Sequence, residues 1–351
     1  MLRTPFRRLE GGETLENMSM PRLILPSDLQ KEGQDRRNLV ELSNKGELIR
    51  LRRGVYVKSG EWLELRPLQQ YGLQALAFQQ LTSRQPVFCD ATAALLWGLW
   101  IIGTPQRLHV ATEVTAGGRS RNGVQRHVGS TTEGIAQCGP FLLTDKLSTT
   151  LRLIRTLAFP HAVAICDSSL RAPESRYVFN QFTPPGAELL PRDPLWQSTY
   201  PQGPALRRED LVAAAEELPA RAARNRALAV INFASPLSGS AGESLSRAKM
   251  HQFGFPAPVL QKHFRLRDGS DAYVDFWFEE PRVAGEFDGK GKYLREDWGG
   301  GLSIQERVLR EKSREDQIRA QKVGFVRWEW KEMMNRERFI YLLREAGLRQ
   351  K

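Results

Sequence analysis

The sequence predicts an α/β multidomain protein, and three observations predict it. Helix-like and strand-like hydrophobic periods alternate along 351 residues, a length that suggests about two or three domains. A proline- and glycine-rich stretch with little periodicity, residues 172–207, parts two well-patterned regions. Near the C-terminus three carboxylates, Asp275, Glu286 and Asp288, enter two otherwise apolar strand-like runs. Buried carboxylates cost several kcal/mol unless they are paired or bind an ion.

Residues 1–22 read as a disordered tail or an overlong start, because Met18 and Met20 precede the first well-patterned segment, and Arg3, Arg7 and Arg8 have no apolar run behind them of the kind a signal peptide needs. No apolar run anywhere is long enough to span a bilayer, so a cytoplasmic protein is expected. Over residues 23–60, Ser27 suits a helix N-cap, and a second helix from about Arg36 carries Leu39, Val40 and Leu42 before Gly46 ends it. Leu48 through Val57 then reads as two short strands joined at Arg53-Gly54. Short helices followed by a basic hairpin predict a winged-helix DNA-binding domain, with arginines of the wing neutralising phosphates. Arg50, Arg52, Arg53 and Lys58 are the contact candidates, against the alternative of a merely solvated hairpin.

Residues 61–171 predict a mixed α/β middle domain: a helix around Leu65 to Leu81, then one from Asp90, an apparent N-cap, to Leu99. Leu108–Thr112 and Gly123–Val128 alternate as strands do, and Leu147–Leu157 has a helical period. His109 and His127 fall in the strands with no Ser, Cys or carboxylate constellation in view, and read as structural. The three cysteines, Cys89, Cys138 and Cys166, are widely spaced and lack a C-x-x-C pairing. They indicate neither disulfides nor a zinc site and read as small buried hydrophobes. Asp167, flanked by apolar residues, reads as a helix-end or hydrogen-bonding group. The connector 172–207 follows, then an Ala- and Arg-rich linking helix over 208–238.

The last unit, 239–351, opens on a helix with Glu243 in its first turn, where a carboxylate also serves as a cap. Alternation of sides puts Glu286 and Asp288 on one strand face, and Asp275 on a face with Tyr273 and Trp277. A four-residue loop, Glu279 to Arg282, pairs Phe278 with Val283; counting back, Asp275 falls opposite Glu286. Their Cβ atoms would lie roughly 4.5–5.5 Å apart, and like charges at that spacing ask for a cation. A hard divalent ion, Mg²⁺ (or Mn²⁺), is the natural candidate. Salt bridges from Arg314, Arg319 and Lys312 would satisfy the acids without one. A long helix around Glu311 to Gln317, a strand Phe325 to Trp330 and a final helix from about Arg336 complete the chain.

This order of helix, strand, hairpin with Asp and then Glu-x-Asp, helix, strand and helix resembles the core of the restriction-endonuclease-like PD-(D/E)XK nucleases. More closely, several ordered motifs resemble the very-short-patch-repair-like endonuclease domains of uncharacterised actinobacterial proteins. These are Glu243 with Gly254-Phe255-Pro256-Ala257-Pro258, Val274-Asp275-Phe276, Glu286-Phe287-Asp288-Gly289-x-x-Lys292-Tyr293, Glu311-Lys312-x-Arg314-Glu315-Asp316 and Gly324-Phe325-Val326-Arg327-Trp328. The resemblance covers about the last third of the chain. It implies a restriction-endonuclease-like α/β domain whose ion is held by Asp275 and Glu286, with Asp288 and Glu243 in support. Lys290 or Lys292 would steady the phosphate, and Lys312, Arg314 and Arg319 would meet the DNA backbone. The sequence departs from the superfamily at its third motif position, ordinarily Lys, where Asp288 stands.

In the N-terminal half, Leu48 through Val57, Ala93-Ala94-Leu95-Leu96-Trp97-Gly98-Leu99, His109-Val110, and Thr144 through Leu157 followed by Ala162 to Arg171 resemble the AbiEi-type antitoxins. That implies a winged helix on operator DNA and a second domain used against a cognate toxin. A surplus of 51 Lys and Arg over 40 Asp and Glu, net +11, agrees with a polyanionic partner such as DNA. Two functions are therefore expected: a metal-dependent DNA endonuclease serving phage defence or repair, or a non-catalytic antitoxin-like regulator with a relict nuclease fold.

Overall fold

The computed structural model describes residues 21–27, 37–114, 122–171, 203–289 and 304–351. Helix α1 (Arg37–Asn44) leads into an antiparallel hairpin of β1 (Leu48–Arg52) and β2 (Val55–Lys58). The chain reverses at Gly54, whose φ of +79° is a conformation that side chains with a β-carbon rarely adopt. Leu39, Leu48 and Tyr56, with Ile24 and Leu42, close a small core under the hairpin. A short helix not anticipated from the sequence, α2 (Ser59–Glu64), precedes α3 (Pro67–Gln79), which is the helix expected around Leu65 to Leu81. Pro67 holds Arg66 extended and starts the second.

The middle region is a mixed five-stranded sheet in the order β5-β4-β3-β7-β6. Its strands are β3 (Val87–Phe88), β4 (Leu108–Thr112), β5 (Val124–Val128), β6 (Ile135–Cys138) and β7 (Phe141–Thr144). Only β4 and β5 are anticipated from sequence alternation; β3, at two residues, is too short to show a period. Helices α4 (Asp90–Leu96), α5 (Lys146–Ile154) and α6 (Phe159–Ser169) accompany the sheet. Residues 208–238 hold two helices rather than one, α7 (Arg208–Glu216) and α8 (Arg221–Phe233). They do more than link: Leu211, Ala227, Val230 and Ile231 lie in the same buried core as Phe88, Leu108, Phe141 and Ile154.

The C-terminal region begins with α9 (Ala241–Gln252) and contains a four-stranded sheet in the order β11-β10-β9-β8. Strands β8 (Val259–Arg265), β9 (Asp271–Phe278) and β10 (Val283–Phe287) run antiparallel in sequence order. Helix α10 (Ile304–Arg319) then crosses to β11 (Gly324–Trp328), which pairs parallel with β10, as a helical crossover permits. One sheet face packs Phe276, Phe278 and Phe287 against Leu245 and Met250 of α9 and against Met333 and Phe339. The latter two come from α11 (Trp330–Met334) and α12 (Arg336–Glu345). The opposite face sets Trp277 and Ala284 against Ile318 of α10. Among the described residues no helix is long and apolar enough to cross a membrane.

Helix α9 approaches β10 so closely that a β-carbon on Gly242 would lie 1.9 Å from Phe287 Cε1. Gly242→Ala is therefore expected to destabilise the protein by about 1–3 kcal/mol or more, through overpacking. Gly242→Ala combined with Phe287→Leu should recover much of the loss in urea unfolding; no recovery would place the strain elsewhere.

Candidate functional site

The β9–β10 hairpin pairs Phe278 with Val283, Trp277 with Ala284 and Phe276 with Gly285, the register that a four-residue loop predicts. One step further along this ladder, Asp275 adjoins Glu286, and its Oδ2 accepts the Phe287 N–H at 3.0 Å. Both acids stand on the α10 side of the sheet, because they share strand parity with Trp277 and Ala284.

Glu286 is only 7% exposed and meets two arginines. Arg314 Nη2 of α10 donates to its Oε1 at 2.5 Å, and Arg327 Nη2 lies 3.0 Å from its Oε2. Arg327 is the β11 residue in register with Glu286. The same guanidinium groups reach Glu311, at 2.7 Å from Arg314 and 2.6 Å from Arg327. Arg327 also lies 3.2 Å from Glu315 and 3.9 Å from Asp288. Among the described residues, the acidic surface of the hairpin is thus interleaved with arginine, the arrangement that satisfies carboxylates without an ion.

Of the basic candidates, Arg314 alone contacts the hairpin acids. Arg319 pairs with Glu315 at 2.7 Å and lies over Phe325, while Lys312 is exposed. Glu243 is spent mainly on its own helix. Its carboxylate accepts from the Gly239 N–H at 2.6 Å and the Ser240 hydroxyl at 2.9 Å, and Ser240 caps the helix in return. Lys290 and Lys292 lie outside the described residues.

At the N-terminal hairpin Arg50, Arg53 and Lys58 are exposed, with Lys58 3.3 Å from Glu61. Arg52 differs from them: half-buried, it lies over Phe78 and donates to the Asn122 carbonyl at 2.8 Å. A residue pinned in this way is a poor phosphate contact.

The middle sheet yields a cluster that the sequence reading missed. Pairing of β3 with β4 and of β4 with β5 gathers Cys89, Asp90, His109 and His127, and α5 adds Arg152. His127 Nδ1 lies 3.0 Å from Asp90 Oδ2, and its Nε2 lies 2.9 Å from His109 Nδ1. Arg152 Nε holds Asp90 Oδ1. The histidines are therefore not isolated, and Asp90 is not an N-cap. Cys89 precedes the helix, and Asp90 sits in its first turn at φ +47°, a backbone state that costs about 1–3 kcal/mol and persists only where its surroundings enforce it. Burial pushes the Cys89 thiol above its usual range and lowers the proton affinity of both histidines. Among the described residues, Cys89, Asp90 and His127 are a group whose donor atoms all lie within 4.8 Å of one another and could hold a metal ion. Asp275, Glu286, Asp288 and Glu243 do not gather into such a group.

No family model matches the chain, and no curated protein matches it. Among solved structures, the crystal structure of RV2827C protein from Mycobacterium tuberculosis is similar at 14% identity, over 64% of this chain and 75% of that one. The TM-score of that match is 0.35.

Burial, only partly offset by Arg314 and Arg327, pushes Glu286 up to about 7, and the charge of Asp275 adds to the rise. Folded Glu286 thus holds its proton more tightly than in the unfolded chain. Its stabilising contribution is complete below the ordinary carboxylate range and is lost as pH rises toward about 7. Glu286→Gln should flatten the dependence of stability on pH across that window, as read by urea unfolding. An unchanged slope would assign the dependence to another group.

Proposed function

We propose that the protein binds DNA and that its C-terminal region hydrolyses phosphodiester bonds with the help of a divalent ion, Mg²⁺ or Mn²⁺. The observation that carries this reading is the adjacency of Asp275 and Glu286 on one sheet face, two like charges held side by side. As hard oxygen donors they suit such an ion in kind, and Asp288 follows just beyond the end of β10, 3.9 Å from Arg327. When bound, the ion would activate water and stabilise charge on the scissile phosphate. Glu243 is not needed in the set, since it caps α9.

The chain's own contribution lies in Arg314 and Arg327. Both grip Glu286 now, and both are suited to bidentate contact with a phosphodiester. An incoming backbone phosphate would draw these guanidinium groups away and free the Glu286 oxygens, so DNA and ion would bind cooperatively. Arg50, Arg53 and Lys58 of the N-terminal hairpin, with Lys312, supply the exposed charge for non-specific attachment to the backbone.

A second reading has its own observation. The arginines already satisfy Glu286 without an ion, as a regulator with a relict nuclease fold would have it, acting on operator DNA or a cognate toxin. Incubation with supercoiled, linear, mismatched and single-stranded DNA, in Mg²⁺, Mn²⁺ or EDTA, separates the two. Metal-dependent nicking supports the nuclease. Tight, salt-sensitive duplex binding with no cutting in any metal supports the regulator.

A further inference from the structure

We propose that Cys89, Asp90 and His127 form a site for a thiophilic divalent transition metal of the Zn²⁺ class, distinct from the hairpin carboxylates and open on one side to a pocket. Three kinds of donor meet there: a thiol at the end of β3, a carboxylate in the first turn of α4 and an imidazole from β5. Asp90 Oδ2 is 3.8 Å from Cys89 Sγ and 3.0 Å from His127 Nδ1. Donors about 2.0–2.3 Å from a tetrahedral centre stand roughly 3.3–3.8 Å from each other, so small side-chain shifts would seat the ion. A mixed sulfur, nitrogen and oxygen set favours Zn²⁺ over Mg²⁺, which takes oxygen ligands.

The atoms behind the donors are also held, as they are in metal sites. Arg152 Nε engages Asp90 Oδ1, leaving Oδ2 for the ion. His109 Nδ1 meets His127 Nε2 at 2.9 Å, which leaves Nδ1 as the coordinating nitrogen. His109 is itself fixed by its backbone N–H, which donates to Thr92 Oγ1 at 2.7 Å, and Thr92 bonds to the Tyr71 hydroxyl at 2.6 Å. Arg152 Nη2 stands 3.1 Å from His127 Nδ1, and because the guanidinium is planar and rigid, the group must pivot about its Nε contact with Asp90 Oδ1 to clear Nδ1 as the ion enters.

Three protein donors leave a fourth position, the pattern of sites that admit water or a ligand rather than of closed structural sites. That side opens to a pocket of about 310 Å³ lined by Cys89, His127, Ser130, Thr144, Ser148 and Arg152. Arg155 and Glu133 also line it, so with Arg152 the lining carries two guanidinium groups and one carboxylate around the open position.

The test is a titration of the reduced, chelator-treated full chain with Co²⁺ as a spectroscopic stand-in for Zn²⁺. Thiolate-to-cobalt charge transfer and the intense visible bands of tetrahedral Co²⁺ should appear, saturate at one equivalent and vanish on addition of Zn²⁺. Cys89→Ser should abolish the charge-transfer band, and His127→Gln, altering a partly exposed side chain, should weaken binding without disturbing the core. His109→Phe should retain the spectrum with affinity lowered about 10–100-fold. Asp275→Ala should leave it unchanged, which separates this site from the hairpin. Absence of the thiolate band in the unsubstituted protein, or its persistence in Cys89→Ser, would overturn the proposal.

Discussion

Asp275→Ala is expected to lower metal-dependent nicking by about three orders of magnitude, the rate equivalent of the several kcal/mol that a bound ion contributes to phosphoryl transition states. Duplex affinity should change by no more than about 3-fold, since the proposed phosphate contacts lie on basic side chains elsewhere. The alanine also removes the acceptor of the Phe287 N–H, so a purely structural loss must be told apart. Asp275→Asn does this, because an amide oxygen retains the acceptor while removing the charge. Equal loss in both variants assigns the effect to the charge. Full activity in Asp275→Asn would reduce Asp275 to a positioning role, and cleavage retained in both Asp275→Ala and Glu286→Ala would end the assignment of the hairpin as an active site.

Arg247→Ala is expected to cost the fold about 3–5 kcal/mol, the usual effect of removing one partner from a buried ion pair. Asp167 of α6 is 0% exposed, and Arg247 Nη2 of α9 lies 2.9 and 2.8 Å from its two oxygens. Arg247 Nη1 donates to the Phe233 carbonyl at 2.7 Å, and the guanidinium lies 4.3 Å from the centre of the Phe233 ring. Asp167 also accepts from the Ser235 N–H and the Ser244 hydroxyl, each at 2.7 Å. One residue thus joins α6, α8 and α9, and with them the middle core to the first helix of the C-terminal region. Burial already holds the Asp167 carboxyl above its ordinary range against the pull of Arg247, and removing Arg247 would raise it further in the folded state. The stability loss should therefore be smaller near about pH 5 than near about pH 8. Asp167→Asn combined with Arg247→Met should restore much of the stability in urea unfolding, because no buried charge is left to neutralise. A loss below about 1 kcal/mol in Arg247→Ala would show that the pair is dispensable.

The parts of this protein that were legible in the sequence are those set by local geometry. Strand alternation and a four-residue loop suffice to bring Asp275 beside Glu286, since a hairpin register depends only on residues within it. The capping alternative for Glu243 was likewise readable, because a cap is closed within one helical turn. The β1–β2 hairpin was placed by its turn residues, although the sequence could not show that Arg52 lies over Phe78.

What stayed hidden depends on contacts between distant segments. Arg327 meets Glu286 because α10 carries the chain across to a parallel strand, and the register of parallel neighbours is not determined by any loop between them. Cys89, His109 and His127 looked isolated because β3, β4 and β5 assemble only through sheet pairing, and β3 is too short to declare itself. Asp167 looked like a local hydrogen-bonding residue until helix packing brought Arg247 onto it. By itself, then, the sequence determined the hairpin acids, the basic turn and the α/β alternation, all of which follow from short-range backbone periods. Tertiary structure alone decided which charges neutralise those acids and which donors meet in the middle sheet, because these depend on packing between segments far apart in the chain.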